Sequence, residues 1–425
     1  MVSGCNRNPD GKNQHGPVEK ADNPRLRAAL ETYHKEKLTS NTTIALRLKL
    51  EHGIERSAST VKRRRKELGL HASVVTSKTM PSDVAEQLVL KQMERDPAMR
   101  QGVRTMQAKV AYESGVHLPR YVVSDTMHMH CPEGFDKRKP TAKKIAREPI
   151  HPIGIHERWS ADGHDKLLKI GFGAWAVVDR STSRLLGGWI LPRNRMGKAV
   201  AYCFLELVEE YSGIPLQLLT DCGSENTVIY GVINALREQF HPELDMQELV
   251  PHVFVRSVHN TPIERSWLRL RMDWGDDVIV FFRKGINNGI YNPDDPNQYD
   301  LCQWVWARAL RKDMNEFIKF RNSVTMRKNH EKPGPSGTSR NNVFTIHARW
   351  GGRNCLKPVD VDVVQEMKNA LGEGAGVEGL LEFTSPEYSK RAEEVFLSLG
   401  VLDLRMHNAW DVFMAMYPLM YPKSV

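Results

Sequence analysis

The sequence has few cysteines, and none of them is paired at metal-binding spacing. Its six cysteines are Cys5, Cys131, Cys203, Cys222, Cys302 and Cys355. The absence of any Cys-x-x-Cys pair argues against a disulfide scaffold and against a structural zinc finger. Long apolar runs are also lacking, and residues 1–23 have no apolar segment of the kind found in signal peptides. We therefore expect a soluble, intracellular protein with no membrane partner.

The composition indicates several domains and a polyanionic partner. The chain has 425 residues, of which 40% are hydrophobic, so it can form real cores. A chain of this length is expected to contain roughly two to four domains. Lysine and arginine exceed aspartate and glutamate by enough to give a formal net charge of +9, which favours nucleic acid as the partner.

The first third of the chain predicts helical segments rather than strands. Residues 1–23 are polar and are predicted to form a disordered tail. Residues 24–73 have the order helix, turn at Gly53 and capped basic helix, which is typical of a helix-turn-helix-like DNA-binding domain. Its candidate phosphate contacts are Lys62, Arg63, Arg64, Arg65 and Lys66. The same basic run also fits a solvated helix or a nuclear-localisation signal.

Two further segments separate this domain from the β-rich part of the sequence. Residues 80–131 predict a second helical, helix-turn-helix-like domain. Its last helical segment, Pro119–Met129, has Arg120 as its only lysine or arginine, so an architectural role is favoured over sequence reading. Residues 132–150 are rich in proline and lysine and predict a basic linker. The linker fits a solvated spacer and an arm along a phosphate backbone equally well.

Residues 151–285 predict an α/β domain. Three antiparallel strands are followed by the order helix, strand, helix, strand, helix, which indicates a mixed five-stranded sheet with flanking helices. The first strand is expected to be interrupted at 163–166 and to resume at 167–170. Residues 286–425 are predicted to be mainly helical, and they contain no recognisable chemistry.

Three acidic residues fall near the ends of elements in this domain. Asp162 lies on the first strand, Asp221 ends the fourth strand, and Glu264 lies in the helix after the fifth. Carboxylates are the ligands that Mg²⁺ and Mn²⁺ prefer, and paired metals of this kind catalyse phosphoryl transfer. Two alternatives stay open, because Asp165 could replace Asp162 and Glu264 could simply form a capping box with Thr261.

The helix that carries Glu264 has one apolar stripe, and basic residues surround the glutamate. The stripe consists of Ile263, Trp267, Leu270 and Trp274. The basic residues are Arg265, Arg269 and Arg271, which we expect to contact DNA phosphates. The acidic residues that follow are predicted to form a solvated loop; they are Asp273, Asp276 and Asp277.

Four segments carry a family resemblance, and they are Trp159-x-x-Asp162, Val177–Ser183, Thr220–Glu225 and Ile263–Leu270. Together they resemble the integrase core of retroviral-type integrases and DDE transposases. The overall layout, with two helix-turn-helix-like segments before the core, also resembles integrase-core proteins of eukaryotic mobile elements. The resemblance implies an RNase H-like fold and a catalytic, metal-binding triad of Asp162, Asp221 and Glu264. It also implies two Mg²⁺ or Mn²⁺ ions, processing and strand transfer of element ends into duplex target DNA, a homo-oligomer and a nuclear location.

The sequence departs from the family pattern in several places. An inserted segment at His241–His252 lengthens the interval between the second and third acids. Cys222 stands where asparagine is common, Asn226 where an aromatic residue is common, and His259-Asn-Thr261 replaces the usual approach to the glutamate. Two hypotheses other than a DNA strand-transfer enzyme therefore stay open. One is a catalytically silent DNA-binding or chromatin protein that uses the core as a scaffold, and the other is a nuclease acting on RNA–DNA hybrids.

Overall fold

The computed structural model describes six parts of the chain, which are residues 23–137, 152–255, 261–329, 334–372, 377–401 and 403–422. The predicted tail, apart from its last residue, lies outside the described residues. So do most of the predicted basic linker and His259.

The first helical unit contains three short helices. They are α1 (Pro24–Lys35), α2 (Asn41–His52) and α3 (Ala58–Glu67). Gly53 ends α2 with a φ of 66°, a left-handed conformation in which glycine is favoured. The Ser57 hydroxyl accepts a hydrogen bond from the Thr60 amide at 3.3 Å and so caps α3. Leu30, Leu48 and Val61 join the helices in one small apolar core.

A second helical unit follows, with an apolar core of its own. Its helices are α4 (Ser73–Thr79), α5 (Ser82–Met93), α6 (Val103–Ser114), α7 (Arg120–His130) and α8 (Glu133–Lys137). Val89, Met106 and Val123 are fully buried at its centre. The two units touch where His117 stacks on His34, with ring centroids 3.9 Å apart. The two units are therefore packed against each other.

A mixed five-stranded sheet forms the centre of the molecule. Its part of the chain contains β1 (Gly154–Ile155), β2 (Arg158–His164), β3 (Gly173–Asp179), β4 (Leu185–Leu191), α9 (Gly197–Tyr211), β5 (Gly213–Ile214), β6 (Gln217–Thr220), α10 (Asn226–Phe240), β7 (His252–Phe254) and α11 (Thr261–Leu270). The strand order is β4-β3-β2-β6-β7. Strands β2, β3 and β4 are antiparallel neighbours, whereas β6 is parallel to both β2 and β7. The predicted mixed sheet with flanking helices is confirmed.

The segment after β2 differs from its prediction. Residues Asp165–Ile170 form a 3-10 helix instead of a resumed strand. Leu167 and Ile170 are buried while Leu168 and Lys169 are exposed, which is the three-residue period of a 3-10 helix.

Helices cover both faces of the sheet. Helices α9 and α10 pack with Trp159, Trp175 and Leu218 on one face. The other face packs against α11 and the elements that follow it: a π-helical turn at Arg271–Gly275, α12 (Asp276–Asn287) and α13 (Pro296–Ser323). The prediction of a solvated acidic loop is wrong, because these residues are helical and Asp277 is buried.

Helix α13 is part of the core, although its sequence lies beyond the predicted boundary at residue 285. It runs along the edge strand β4, and the Asn322 side chain bonds to both backbone groups of Leu185. The Leu185 amide donates to Asn322 Oδ1 at 3.0 Å, and Asn322 Nδ2 donates to the Leu185 carbonyl at 2.8 Å. The core unit therefore includes residues that the sequence assigned to the C-terminal region.

The C-terminal region is mainly helical, as predicted. It contains α14 (Arg340–Thr345), β8 (Arg353–Asn354), β9 (Lys357–Pro358), α15 (Val361–Leu371), α16 (Pro386–Ser398) and α17 (Ala409–Met420). Strand β8 pairs with β1, and β9 pairs with β5. A Cβ atom at Gly154 would lie 1.8 Å from the Arg353 carbonyl oxygen, so only glycine allows this approach. Among the described residues, no helix combines the length and apolar character needed to cross a membrane.

Candidate active site

Asp162 and Asp221 occupy matching positions on neighbouring parallel strands. The last registered pair of β2 and β6 is Ser160 with Leu219, and each acid lies two residues beyond its member of that pair. Neighbouring strands are about 4.8 Å apart, and residues two apart point to the same face. The two carboxylates are therefore directed to one side of the sheet at its carboxyl edge.

Helix α11 places Glu264 beside these two residues. The predicted stripe is confirmed, because Ile263, Trp267, Leu270 and Trp274 are all at most 4% exposed. The indole Nε1 of Trp267 donates a hydrogen bond to Asp162 Oδ2 at 3.0 Å, which anchors the helix to β2. Glu264 is exposed and lies three residues before Trp267, in the first turn of the helix. Residues three apart are neighbours on a helix surface.

The negative charges of Asp221 and Glu264 act on Asp162. Burial raises the pKa of Asp162 to about 7, and the negative charges of Asp221 and Glu264 add to this effect. The hydrogen bond from Trp267 opposes it. Two like charges close to a partly buried carboxyl group favour its protonated form. The negative charges of Asp221 and Glu264 therefore both favour the protonated form of Asp162.

Asp221 is held in place by the residues just after it. Its Oδ1 accepts hydrogen bonds from the Gly223 amide at 3.2 Å and from Asn226 Nδ2 at 2.8 Å. Asn226 also donates to the Asp221 carbonyl oxygen at 3.3 Å and is itself buried. The unusual asparagine at position 226 therefore fixes the orientation of this carboxylate, a role that an aromatic side chain lacks.

Asp165 faces a different environment from Asp162. It is exposed, accepts a hydrogen bond from Asn194 at 2.7 Å and forms an ion pair with Arg195 at 2.9 Å. The hydrogen bond from Asn194, assisted by Arg195, lowers the pKa of Asp165 below its usual value. Because its charge is already balanced by a cation, Asp165 is a poorer candidate than Asp162 for the first acid of the triad.

The three acids do not form a closed metal cage. Within the described ranges, no three histidine, cysteine or acidic side chains converge closely enough to hold a metal ion. Asp162 has one oxygen engaged by Trp267, and Glu264 extends toward solvent. The site is an open cluster of carboxylates at the sheet edge.

The three arginines near Glu264 are all exposed, and they lie in different directions. Arg271 lies near His164, whose ring stacks on Trp267 at 4.8 Å. Burial lowers the pKa of His164 to about 4, and the positive charges of Lys166 and Arg271 add to this effect. Arg269 instead lies near the partly buried carboxyl group of Asp273. Arg271 is therefore the arginine that the described contacts bring toward the acids.

The predicted phosphate contacts on α3 also differ among themselves. Lys62, Arg63 and Lys66 are exposed. Arg64 forms an ion pair with Glu67 at 2.7 Å. The Arg65 guanidinium donates to the Thr39 carbonyl at 3.0 Å and to Asn41 Oδ1 at 2.8 Å, so it ties α3 to the start of α2.

Sequence reasoning missed three supporting residues of the site. Trp267 was assigned to the apolar stripe alone, and its N–H donor was not considered. The buried Asn226 was noted only as a departure from the family pattern. His164 carries no local signal for the site, because its stacking on Trp267 depends on tertiary packing that the sequence does not reveal.

A family model described as an integrase core domain matches residues 154–342. The match begins at β1 and ends in α14, so it includes the whole sheet and α13. No curated protein matches the sequence significantly. The order of strands, the flanking helices and the family match agree with an RNase H-like core, and residues 154–342 of the chain therefore form an integrase core domain.

Proposed function

We propose that this protein cuts and joins DNA by metal-dependent phosphoryl transfer at Asp162, Asp221 and Glu264. The observation that supports the proposal best is the placement of Asp162 and Asp221 at matching positions on neighbouring parallel strands, with Glu264 in the first turn of the helix that Trp267 anchors to Asp162. Clustered carboxylates repel one another, and a divalent cation relieves that repulsion. The donor set of carboxylate oxygens is the one that Mg²⁺ and Mn²⁺ prefer.

We assign all three acids as ligands of two Mg²⁺ or Mn²⁺ ions. Cations bound in this way supply activation of the attacking hydroxyl group and stabilisation of the leaving oxygen. The protein supplies the positioning. Trp267 orients Asp162, and Asn226 orients Asp221. Glu264 is exposed at the start of its helix, where a DNA phosphate and its cations can reach it.

Duplex DNA is the proposed substrate and partner. The exposed cations Lys62, Arg63 and Lys66 on α3 supply phosphate contacts at a distance from the acids, and Arg265 and Arg271 supply them beside the acids. Element ends and target DNA are both duplexes, and joining two ends to a target calls for at least two copies of the active site. We accordingly propose a homo-oligomer that works in the nucleus.

The test is nicking of supercoiled plasmid DNA with Mg²⁺ or Mn²⁺, compared with cleavage of an RNA–DNA hybrid. Asp162→Asn, Asp221→Asn and Glu264→Gln should each abolish nicking, since each removes one metal ligand. Asp165→Asn is the matched control, because it changes an exposed acid three residues from Asp162 and should retain activity. Unchanged nicking by Asp221→Asn would refute the proposal.

A measurement of Mn²⁺ binding, taken together with the nicking assay, distinguishes an active enzyme from a catalytically silent scaffold. Binding of Mn²⁺, followed by electron paramagnetic resonance, should weaken in the three triad variants and not in Asp165→Asn. A protein that binds Mn²⁺ through the triad and nicks neither substrate would be a silent relative of the enzymes. Faster cleavage of the hybrid than of duplex DNA would show that the substrate is an RNA–DNA hybrid and not duplex DNA.

A further inference from the structure

Two exposed aromatic rings lie together at the outer edge of the sheet, beyond the proposed catalytic acids. Tyr230 on α10 and Phe254 on β7 are each 46% exposed. Their ring centroids are 5.8 Å apart and their planes differ by 22°, so the rings are stacked with an offset. We call this pair the aromatic platform. Large apolar side chains that stay this exposed are not explained by the packing of the core.

The aromatic platform has a rigid support. His252 is 5% exposed and meets both rings edge-on, with centroid distances of 5.6 Å to Tyr230 and 4.5 Å to Phe254. The His252 Nε2 atom lies 3.1 Å from the Thr220 hydroxyl and forms a hydrogen bond with it. Because the supporting ring is itself fixed to β6, the platform is already ordered before any ligand arrives.

The backbone of the platform is close to that of Asp221 along the sheet, while Phe254 points to the face covered by α10 and the acids point to the other face. Phe254 pairs with Thr220, which is the residue directly before Asp221. The Val255 amide continues this pairing with a hydrogen bond to the Thr220 carbonyl at 2.8 Å. One strand spacing, about 4.8 Å, therefore separates the backbone of the platform from the backbone that leads into the acid.

The surroundings of the platform favour a small flat ligand. Gly231 follows Tyr230 on α10, and a Cβ atom there would meet nothing within 4 Å, so the approach to the ring is open. Thr227 is exposed one turn earlier, and Asn234 turns its amide back to the Tyr230 carbonyl at 2.6 Å. Two rings bordered by small and polar residues are much smaller than the apolar surface of a stable protein interface.

We propose that Tyr230 and Phe254 stack an unpaired base of the DNA substrate next to the catalytic edge of the sheet. The choice of DNA as ligand rests on the proposed function. A base within a duplex is stacked on both sides, so a protein ring can stack only on a base that is terminal, frayed or turned out of the helix. Every base has a π-face, so the contact should tolerate any sequence. The platform would hold displaced bases away from the phosphodiester that reacts.

The experiment measures binding without catalysis. The probes are a blunt DNA duplex and the same duplex with a three-nucleotide single-stranded extension that contains 2-aminopurine. Binding is measured in EDTA, so the result does not depend on whether the protein cuts DNA. The wild-type protein should bind the extended duplex more tightly and quench the fluorescence of the 2-aminopurine.

The double variant Tyr230→Ala/Phe254→Ala should lose the quenching and bind the extended duplex about tenfold more weakly, because stacking on an aromatic ring contributes substantially for each base. Its affinity for the blunt duplex should be unchanged. Tyr230→Phe keeps the ring and should behave like wild type, whereas Tyr230→Leu keeps apolar surface without a ring and should not. Tyr299→Ala is the matched control, because Tyr299 is also 46% exposed and lies on α13.

Three results would overturn the proposal. The first is equal quenching by the wild type and the double alanine variant, with circular dichroism showing that both are folded. The second is full binding by Tyr230→Leu, which would show that apolar surface is sufficient. The third is a change in the sedimentation coefficient of the double variant with no change in DNA binding, which would assign the platform to contacts between protein copies. Failure of the nicking assay would leave each of these results interpretable.

Discussion

Replacing Asp277 with asparagine should stabilise the protein at neutral and alkaline pH. Asp277 is 1% exposed on α12, where its Oδ1 accepts a hydrogen bond from the Ala98 amide at 3.1 Å, between α5 and α6. Burial, assisted by the negative charge of Asp96, raises the pKa of Asp277 to about 7, while the Ala98 amide and the positive charge of Lys109 act against the rise. This carboxyl group thus joins the second helical unit to the core at an electrostatic cost.

The sign of the pH dependence follows from the raised pKa. The folded protein holds a proton on Asp277 more tightly than the unfolded chain does, so its contribution to stability is greatest in acid. Stability is lost as the pH rises from about 4 to about 7, and the contribution is constant above that. Over this pH range, a shift of about three pKa units lowers the free energy of unfolding by about 4 kcal/mol.

The asparagine variant removes the buried charge and keeps most of the contacts. Its amide oxygen still accepts the hydrogen bond from Ala98. Its NH₂ group would face Gln101, whose Nε2 lies 3.4 Å from Asp277 Oδ2 and whose Oε1 is buried without a hydrogen-bond partner. Rotation of the Gln101 amide turns that oxygen into an acceptor, at the cost of its weak bond to the Asp273 carbonyl at 3.3 Å.

Thermal melts of wild type and Asp277→Asn between pH 4 and pH 8 measure the effect. The difference in melting temperature should widen from pH 4 to pH 7, reach several degrees in favour of the variant, and then stay constant. Asp276→Asn is the control, because Asp276 is adjacent but more exposed. It should give no widening gap. A constant difference at every pH, or a variant that is less stable than wild type at pH 8, would contradict the reasoning.

Three further predictions concern the site, the core and DNA binding. Trp267→Phe keeps a buried ring but removes the donor to Asp162, so plasmid nicking should slow about tenfold, and an unchanged rate would show that the hydrogen bond is unimportant. Gly285→Ala would place a Cβ atom 2.2 Å from the Trp410 ring, so the melting temperature should fall by several degrees, with a loss of stability of about 1–3 kcal/mol. Lys62→Gln should reduce the slope of log affinity for duplex DNA against log salt concentration by about 0.9, and an unchanged slope would place Lys62 away from phosphate.

Local sequence patterns predicted the elements around the acids. The spacing of Ile263, Trp267 and Leu270 predicted a helix with one buried face, and all three residues are buried in α11. The strand pattern placed Asp162 on the first strand and Asp221 at the end of the fourth, and Asp162 lies within β2 while Asp221 directly follows β6. Both predictions depend on periodicity within a few residues, which the chain carries in its own side chains.

The predictions failed where distant contacts decide the structure. The acidic residues after α11 are polar, so the sequence favoured a solvated loop. Asp277 is nevertheless buried, because its partner amide at Ala98 lies 179 positions away in the chain. Trp267 and Asp162 are 105 positions apart, and periodicity alone describes the indole as apolar surface. Contacts of this kind depend on how the elements pack, which no local pattern encodes.

The small strands β8 and β9 have a consequence for any attempt to isolate the core. The family match ends at residue 342, yet β8 and β9 pair with β1 and β5 inside the matched segment. Val359 and Val364, which follow these strands, are buried in the same apolar cluster as α9. A fragment cut at residue 342 would lose both strands and expose that apolar surface to water. The homologous segment is thus shorter than the unit that folds, and a stable minimal fragment should extend through α15.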